Sequence, residues 1–186
     1  MEADWEFEVG GDAPVIEARW PGLIDLQRTP ERAWDLPEAA QLPALAEALV
    51  TLNSAPSSVW TSKCDFWEHL EPDAFDPGEL DAPSGCFAHA MGCYIDLLPK
   101  RDQAWPLPGM AADRCRKVCS LLHEIPLRCC RVDLVIRRAY ITADLTDLGI
   151  TAYLTSCGAS PAEAVRTLQA VLAAFADAFC PRSTLE

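Results

Sequence analysis

Positive charge is scarce in this sequence, and lysine is nearly absent from it. Only three of the 186 residues are lysines, and 28 acidic residues face 15 basic ones, which gives a formal net charge of −13 at pH 7. A chain this acidic repels phosphate backbones, so we expect no nucleic-acid binding. Its charge suits a basic partner protein instead, as in an inhibitor that neutralises such a protein.

Long apolar runs and export signals are missing as well. No stretch approaches the ~18 uncharged apolar residues that a membrane span needs, and the opening segment MEADWEFEVGG is too acidic for a signal peptide. The nine cysteines are odd in number and are not spaced like a disulfide scaffold. These features predict a cytoplasmic protein with reduced thiols and no membrane association.

The common cofactor motifs are also absent. The chain contains no G-x-G-x-x-G, no phosphate-binding lysine loop and no G-x-S-x-G. We therefore predict no cofactor and no metal. Zinc is an alternative, because Cys115, Cys119 and His123 recur every four residues and Cys129 and Cys130 follow. Against zinc, no C-x₂-C pair exists, and the first two cysteines lie on an apolar helix stripe that is typical of core packing.

Hydrophobic periodicity predicts three strand–strand–helix units in a single domain that covers residues 1–186. We expect a two-layer α+β sandwich with a six-stranded, mainly antiparallel sheet and three helices on one face. The first two strands flank GGDAP, which predicts a hairpin. The predicted strands are 5–9, 15–20, 59–67, 91–98, 128–140 and 149–155; the predicted helices are 43–52, 108–125 and one that begins at Pro161.

A long acidic loop at 68–90 separates the third and fourth strands. It contains six acidic residues, three prolines and no Lys or Arg. The spacing of its acids does not fit a calcium-binding EF-hand loop. We interpret it as a solvated excursion that could cover part of the sheet.

Alternation along the strands predicts one apolar and one polar sheet face. We expect the polar face to balance four acids against four bases, and to bind an anionic or zwitterionic ligand or a partner protein. A second copy of the chain could cover it in a homodimer, and a solvated face of surface ion pairs without a ligand is the alternative. The predicted ligand-binding residues are Lys63, Asp65, Tyr94, Asp96, Arg131, Asp133 and Arg137; Glu17 and Arg19 complete the charge balance.

The alternative function is a small enzyme, a hydrolase or transferase. Asp65, Asp96 or Asp133 would act as general acid or base, or all three would bind a divalent metal. Neighbouring Arg and Lys side chains compete for those oxygens and argue against the metal. Cys157 is the candidate nucleophile, because it precedes a helix N-terminus whose dipole can lower a thiol pKa.

Overall fold

The computed structural model describes residues 1–69, 75–100, 105, 107–142 and 145–180. Within these ranges the chain forms six strands, four α-helices and two short 3-10 helices. The strands are β1 (Glu2–Glu8), β2 (Ile16–Glu17), β3 (Val59–His69), β4 (His89–Pro99), β5 (Cys130–Thr142) and β6 (Leu145–Gly158). The α-helices are α1 (Pro37–Gln41), α2 (Pro43–Asn53), α3 (Pro108–His123) and α4 (Pro161–Phe179), and the 3-10 helices are Pro30–Asp35 and Pro77–Leu80.

The strands form one open, mixed sheet in the order β1-β5-β6-β4-β3, and β2 also pairs with β5. The three pairings among β3, β4, β5 and β6 are antiparallel. The α+β class and the mainly antiparallel six-stranded sheet are thereby confirmed. The predicted first hairpin is wrong, because β1 and β2 both run parallel to β5, one beyond the other. Strands that lie along the same neighbour in the same direction cannot be joined as a hairpin.

The longest α-helices pack on one face of the sheet and enclose the main core. The helix α4 has the clearest local signals, because Pro161 occupies its first turn and the Ser160 side chain accepts a hydrogen bond from the Glu163 amide at 3.3 Å. Its stripe of Leu168, Leu172 and other apolar residues is fully buried. In the part of the chain that the structure describes, no helix is long and apolar enough to cross a bilayer.

The sheet face opposite the helices is called here the open face, and its two ends are covered. At one end Ile16 and Trp60 belong to a second apolar cluster. The Ala18 amide donates to the Tyr140 carbonyl of β5 at 3.0 Å, and the Ala18 carbonyl accepts from the Ser62 hydroxyl of β3 at 3.2 Å. One residue can contact both strands only if the sheet curls, so the open face is concave.

The opposite end of the open face is covered by the described part of the acidic loop. Leu80, from the second 3-10 helix, is buried against Ala90 and Cys157 in a third apolar cluster. Asp81 anchors the same segment through two hydrogen bonds from Arg128, at 2.9 and 3.2 Å. Residues 70–74 of the predicted loop lie outside the described residues.

Candidate functional site

The registers of the sheet arrange the open face in rows that cross the strands. One row contains Asp4, Asp133, Tyr153, Tyr94 and Asp65, one residue from each strand except β2. The remaining open-face residues, in neighbouring rows, are Glu2, Glu6, Glu8, Arg131, Val135, Arg137, Gly149, Thr151, Thr155, Gly92, Asp96, Leu98, Trp60, Ser62 and Trp67. The polar face predicted from strand parity therefore exists, and its central rows are open between the two covered ends.

The edge strand β1 adds carboxylates that sequence reasoning did not place on this face. Its alternation EADWEFE directs Ala3 and Trp5 to the main core and the four acids to the open face. Their positions beside β5 follow from the parallel register, in which Glu2 lies opposite Arg131 and Glu8 opposite Arg137. The face is therefore acidic, and the predicted balance of four acids against four bases is wrong. The alternation of acids along β1 indicates that one side of this strand is polar, but it does not show which strand β1 pairs with.

Arg137 is the centre of the polar contacts. Its Nε and Nη2 donate to Glu8 Oε2 at 2.9 and 2.5 Å, and its Nη1 donates to the Tyr153 hydroxyl at 3.0 Å. The same Nη1 donates to Thr151 Oγ1 at 3.3 Å. The Arg137 side chain is only 13% exposed, so these contacts replace much of the hydration of the guanidinium.

Asp96 is the one buried carboxylate on the open face within the described residues, with 6% exposure. The Thr151 hydroxyl donates to its Oδ1 at 2.7 Å and itself accepts from Arg137. Burial raises the pKa of the Asp96 carboxyl, while the Thr151 hydrogen bond and the charges of Arg137 and Lys63 act in the opposite direction. Asp96 is thus a structural acceptor at the floor of the face.

The other candidate carboxylates lie elsewhere on the face. Asp133 accepts from Arg131 Nε at 2.7 Å, and burial raises its carboxyl pKa against the effect of that arginine. Asp65 lies in the same row on β3, so two strands, β6 and β4, separate its strand from that of Asp133. Because Asp96 lies on a third strand, the three do not converge. No cluster of His, Cys, Asp and Glu among the described residues could hold a metal ion.

A β-bulge between Thr61 and Cys64 changes the parity of β3. Before the bulge Thr61 faces the helices, where its amide and hydroxyl bond to Asn53 of α2. After the bulge Cys64 faces the main core, and Asp65 the open face. Strict alternation along β3 would place Trp60, Ser62 and Cys64 on one side, but Trp60 and Ser62 face the open side and Cys64 the core, because an extra residue reverses every side chain beyond it.

The remaining charged candidates lie at the margin of the open face. Lys63, at the bulge, donates to Glu17 Oε2 at 3.0 Å. Arg19 lies 3.7 Å from Asp25 and is mostly exposed, so it does not join the central rows. Their ion pairs are solvated and contribute at most about 1 kcal/mol each.

Three aromatic rings form a ladder across the central rows. Tyr94 lies 6.4 Å from Tyr153 on one side and 6.4 Å from Trp67 on the other, between ring centroids. The Trp67 indole covers Gly92, since a Cβ at that glycine would lie 2.5 Å from the ring. Trp67 therefore lines the open face, whereas Trp105 is buried in the main core. Trp20 is 36% exposed.

Cys157 is inaccessible in this fold. Its side chain is completely buried beneath Leu80, and burial raises the pKa of its thiol to about 12. A nucleophilic cysteine needs the opposite combination of access and a lowered pKa. The geometry therefore gives no support to the predicted nucleophile. The zinc alternative is equally unsupported, because Cys115 and Cys119 pack in the main core.

A pocket of about 430 Å³ lies on the acidic side of the open face. Its charged walls come from Asp4, Glu6 and Glu8 of β1 and from the two arginines and Asp133 of β5, and Tyr153 closes its inner side. Both arginines of this pocket already donate to carboxylates, whereas Asp4 and Glu6 form no ion pair with any described residue. The chain matches no family model, no curated protein and no solved structure.

Proposed function

We propose that the chain is a binding module whose open face recognises a basic partner protein. The observation that carries this proposal is the group of four carboxylates along β1, which lies beside Asp133 of β5. These five acids lie near only two arginines. Because both arginines are engaged by Glu8 and Asp133, the face offers free negative charge rather than free positive charge. The net charge of −13 acts in the same direction over longer range.

An anionic ligand has less support than a basic one. It would have to displace Glu8 from Arg137 or Asp133 from Arg131, and it would meet the remaining β1 carboxylates on approach. A zwitterionic ligand meets the same competition with its anionic group. A lysine or arginine side chain displaces neither carboxylate, and the ring of Tyr94 offers it a cation–π contact, whereas Arg137 already lies over the Tyr153 ring at 5.6 Å.

The enzyme alternative also has less support. Asp65, Asp96 and Asp133 lie on separate strands, and the Cys157 thiol is covered. A general acid or base needs a substrate pocket around a tuned carboxyl. Among the described residues Asp96 is the one deeply buried carboxylate, but it does not line the 430 Å³ pocket.

The proposal is tested by binding of a lysine- and arginine-rich peptide to a variant with Glu2→Gln, Asp4→Asn and Glu6→Gln. A control variant with Glu31→Gln, Glu47→Gln and Glu124→Gln changes the net charge equally at exposed positions away from the face. Titration calorimetry at low and high salt should show at least tenfold weaker binding for the β1 variant and wild-type binding for the control.

Two results would contradict the proposal. Equal loss in both variants would assign binding to overall charge, and binding by neither the wild type nor the control would remove the face as a basic-peptide site. A capture experiment from cell lysate with the same three proteins then identifies natural partners, as basic proteins retained by the wild type and the control but not by the β1 variant.

A further inference from the structure

A second pocket lies at the other edge of the sheet, and of the residues used in the open-face proposal only Tyr94 also lines it. It has a volume of about 460 Å³, within the usual range for small-molecule sites. The chain between Trp20 and Glu38 passes around the edge strand β3 there, beside the bulge. Its apolar lining includes Trp20, Leu23, Ile24, Leu26, Leu36 and Leu49.

The bulge gives this pocket its depth. Between Thr61 and Cys64 the pairing of β3 with β4 is interrupted, and Thr61, Ser62, Lys63 and Cys64 all line the cavity. A regular strand would direct only alternate residues to one side. The covering chain also protects the edge of β3, which would otherwise be free to pair with another strand.

One carboxylate in the pocket is uncompensated. Glu38 is half-buried in α1, and its side-chain carboxylate has no hydrogen bond or ion pair to a described residue, whereas the Lys63 ammonium is held by Glu17 at 3.0 Å. The charge of Glu38 is felt inside the pocket. Together with burial it raises the pKa of the Cys64 thiol, which lines the same pocket, to about 12. An apolar cavity with one unpaired carboxylate complements a cation on a hydrocarbon body.

We propose that this pocket binds a small hydrophobic amine, with the alkyl or aryl body among the leucines and the ammonium group at Glu38. Tyr94 and Trp20 also line the pocket and offer ring faces to the same cation. A primary alkylamine is protonated at pH 7, like a lysine side chain. The matched neutral alcohol and the matched carboxylate lack the attraction to Glu38, and the carboxylate is repelled by it.

The test compares octylamine, octanol and octanoate by titration calorimetry, with the full chain. Octylamine should bind about tenfold more tightly than octanol, and octanoate more weakly than both. Glu38→Gln should reduce octylamine affinity about tenfold and leave octanol unchanged. The control Glu47→Gln, at an exposed position of α2 outside this pocket, should leave all three affinities unchanged.

Two further measurements place the ligand. The indole N–H signal of Trp20 in a nitrogen–proton correlation spectrum should shift on addition of octylamine, while that of Trp5, at the opposite edge of the sheet, should not. Leu23→Trp should fill the cavity and abolish binding of the amine and the alcohol alike, with the circular dichroism spectrum unchanged. Equal affinity for amine and alcohol, no effect of Glu38→Gln, or no binding at all would each overturn the proposal.

Discussion

Replacement of Arg137 by methionine tests the open face most directly. Methionine keeps much of the apolar stem but removes all donors of the guanidinium, which bond to Glu8, Tyr153 and Thr151. Glu8 is 41% exposed and can be rehydrated. Asp96 cannot, because it is 6% exposed and loses the nearby positive charge that favours its ionised form.

The expected cost follows from these differences in exposure. The solvated pair with Glu8 contributes at most about 1 kcal/mol. The hydrogen bond to the Tyr153 hydroxyl adds about 1 kcal/mol. The uncompensated Asp96 carboxylate adds about 1 kcal/mol, well below the 3–5 kcal/mol of a fully buried broken pair, because the Thr151 hydroxyl still donates to it. We therefore expect Arg137→Met to lower the free energy of unfolding by about 3 kcal/mol at pH 7.

Urea denaturation followed by circular dichroism measures this loss of stability. A double-mutant cycle with Glu8→Gln separates the contribution of the Arg137–Glu8 pair from the rest of the loss. The cycle should give a coupling energy of about 0.5–1 kcal/mol, a minor part of the total. The cost of Arg137→Met should also shrink in acid, where Asp96 is protonated. A coupling energy near zero would show that the solvated pair with Glu8 contributes nothing, and a total cost below about 0.5 kcal/mol would contradict the buried network as a whole.

Two further outcomes depend on burial. Burial raises the pKa of Asp96 in the folded state, so its ionisation opposes folding. The stability that the protonated carboxyl gives the fold is fully present below the pKa of the unfolded chain and is lost as pH rises through the pKa of the folded protein. Asp96→Asn, which can still accept from Thr151, should therefore stabilise the fold by about 1 kcal/mol at pH 7 and not at pH 3, and an equal effect at both pH values would disprove the linkage. A thiol reagent at neutral pH should label half-buried Cys86 well before Cys157, with both labelled in urea; rapid native labelling of Cys157 would restore it as a nucleophile.

The sequence predicted those parts of the fold that local rules determine. Ser160, Pro161 and Glu163 fixed the start of α4, because a helix terminus is specified by its own few residues. Asp96 and Asp133 were assigned correctly to the face away from the helices, because β4 and β5 are regular strands whose two-residue period is uninterrupted there.

The parity of β3 and the charge of the open face were predicted wrongly, because both depend on contacts with parts of the chain that are distant in sequence. Nothing around Lys63 marks a bulge, which exists because the Thr61 side chain bonds to Asn53 of α2 on one side and Ser62 bonds to the Ala18 carbonyl on the other. The acids of β1 reach the open face only through pairing with β5, and parity within one strand cannot reveal its partner. The balanced face was predicted because this one strand was left out.

The pairing of β1 with β5 also constrains the order in which the protein can fold. Glu8 and Arg137 are 129 residues apart in the chain. During synthesis β1 therefore cannot pair with β5 until most of the polypeptide has left the ribosome. An unpaired strand with exposed apolar side chains is prone to aggregate during such a delay. The four carboxylates of β1 would repel other nascent chains in the meantime.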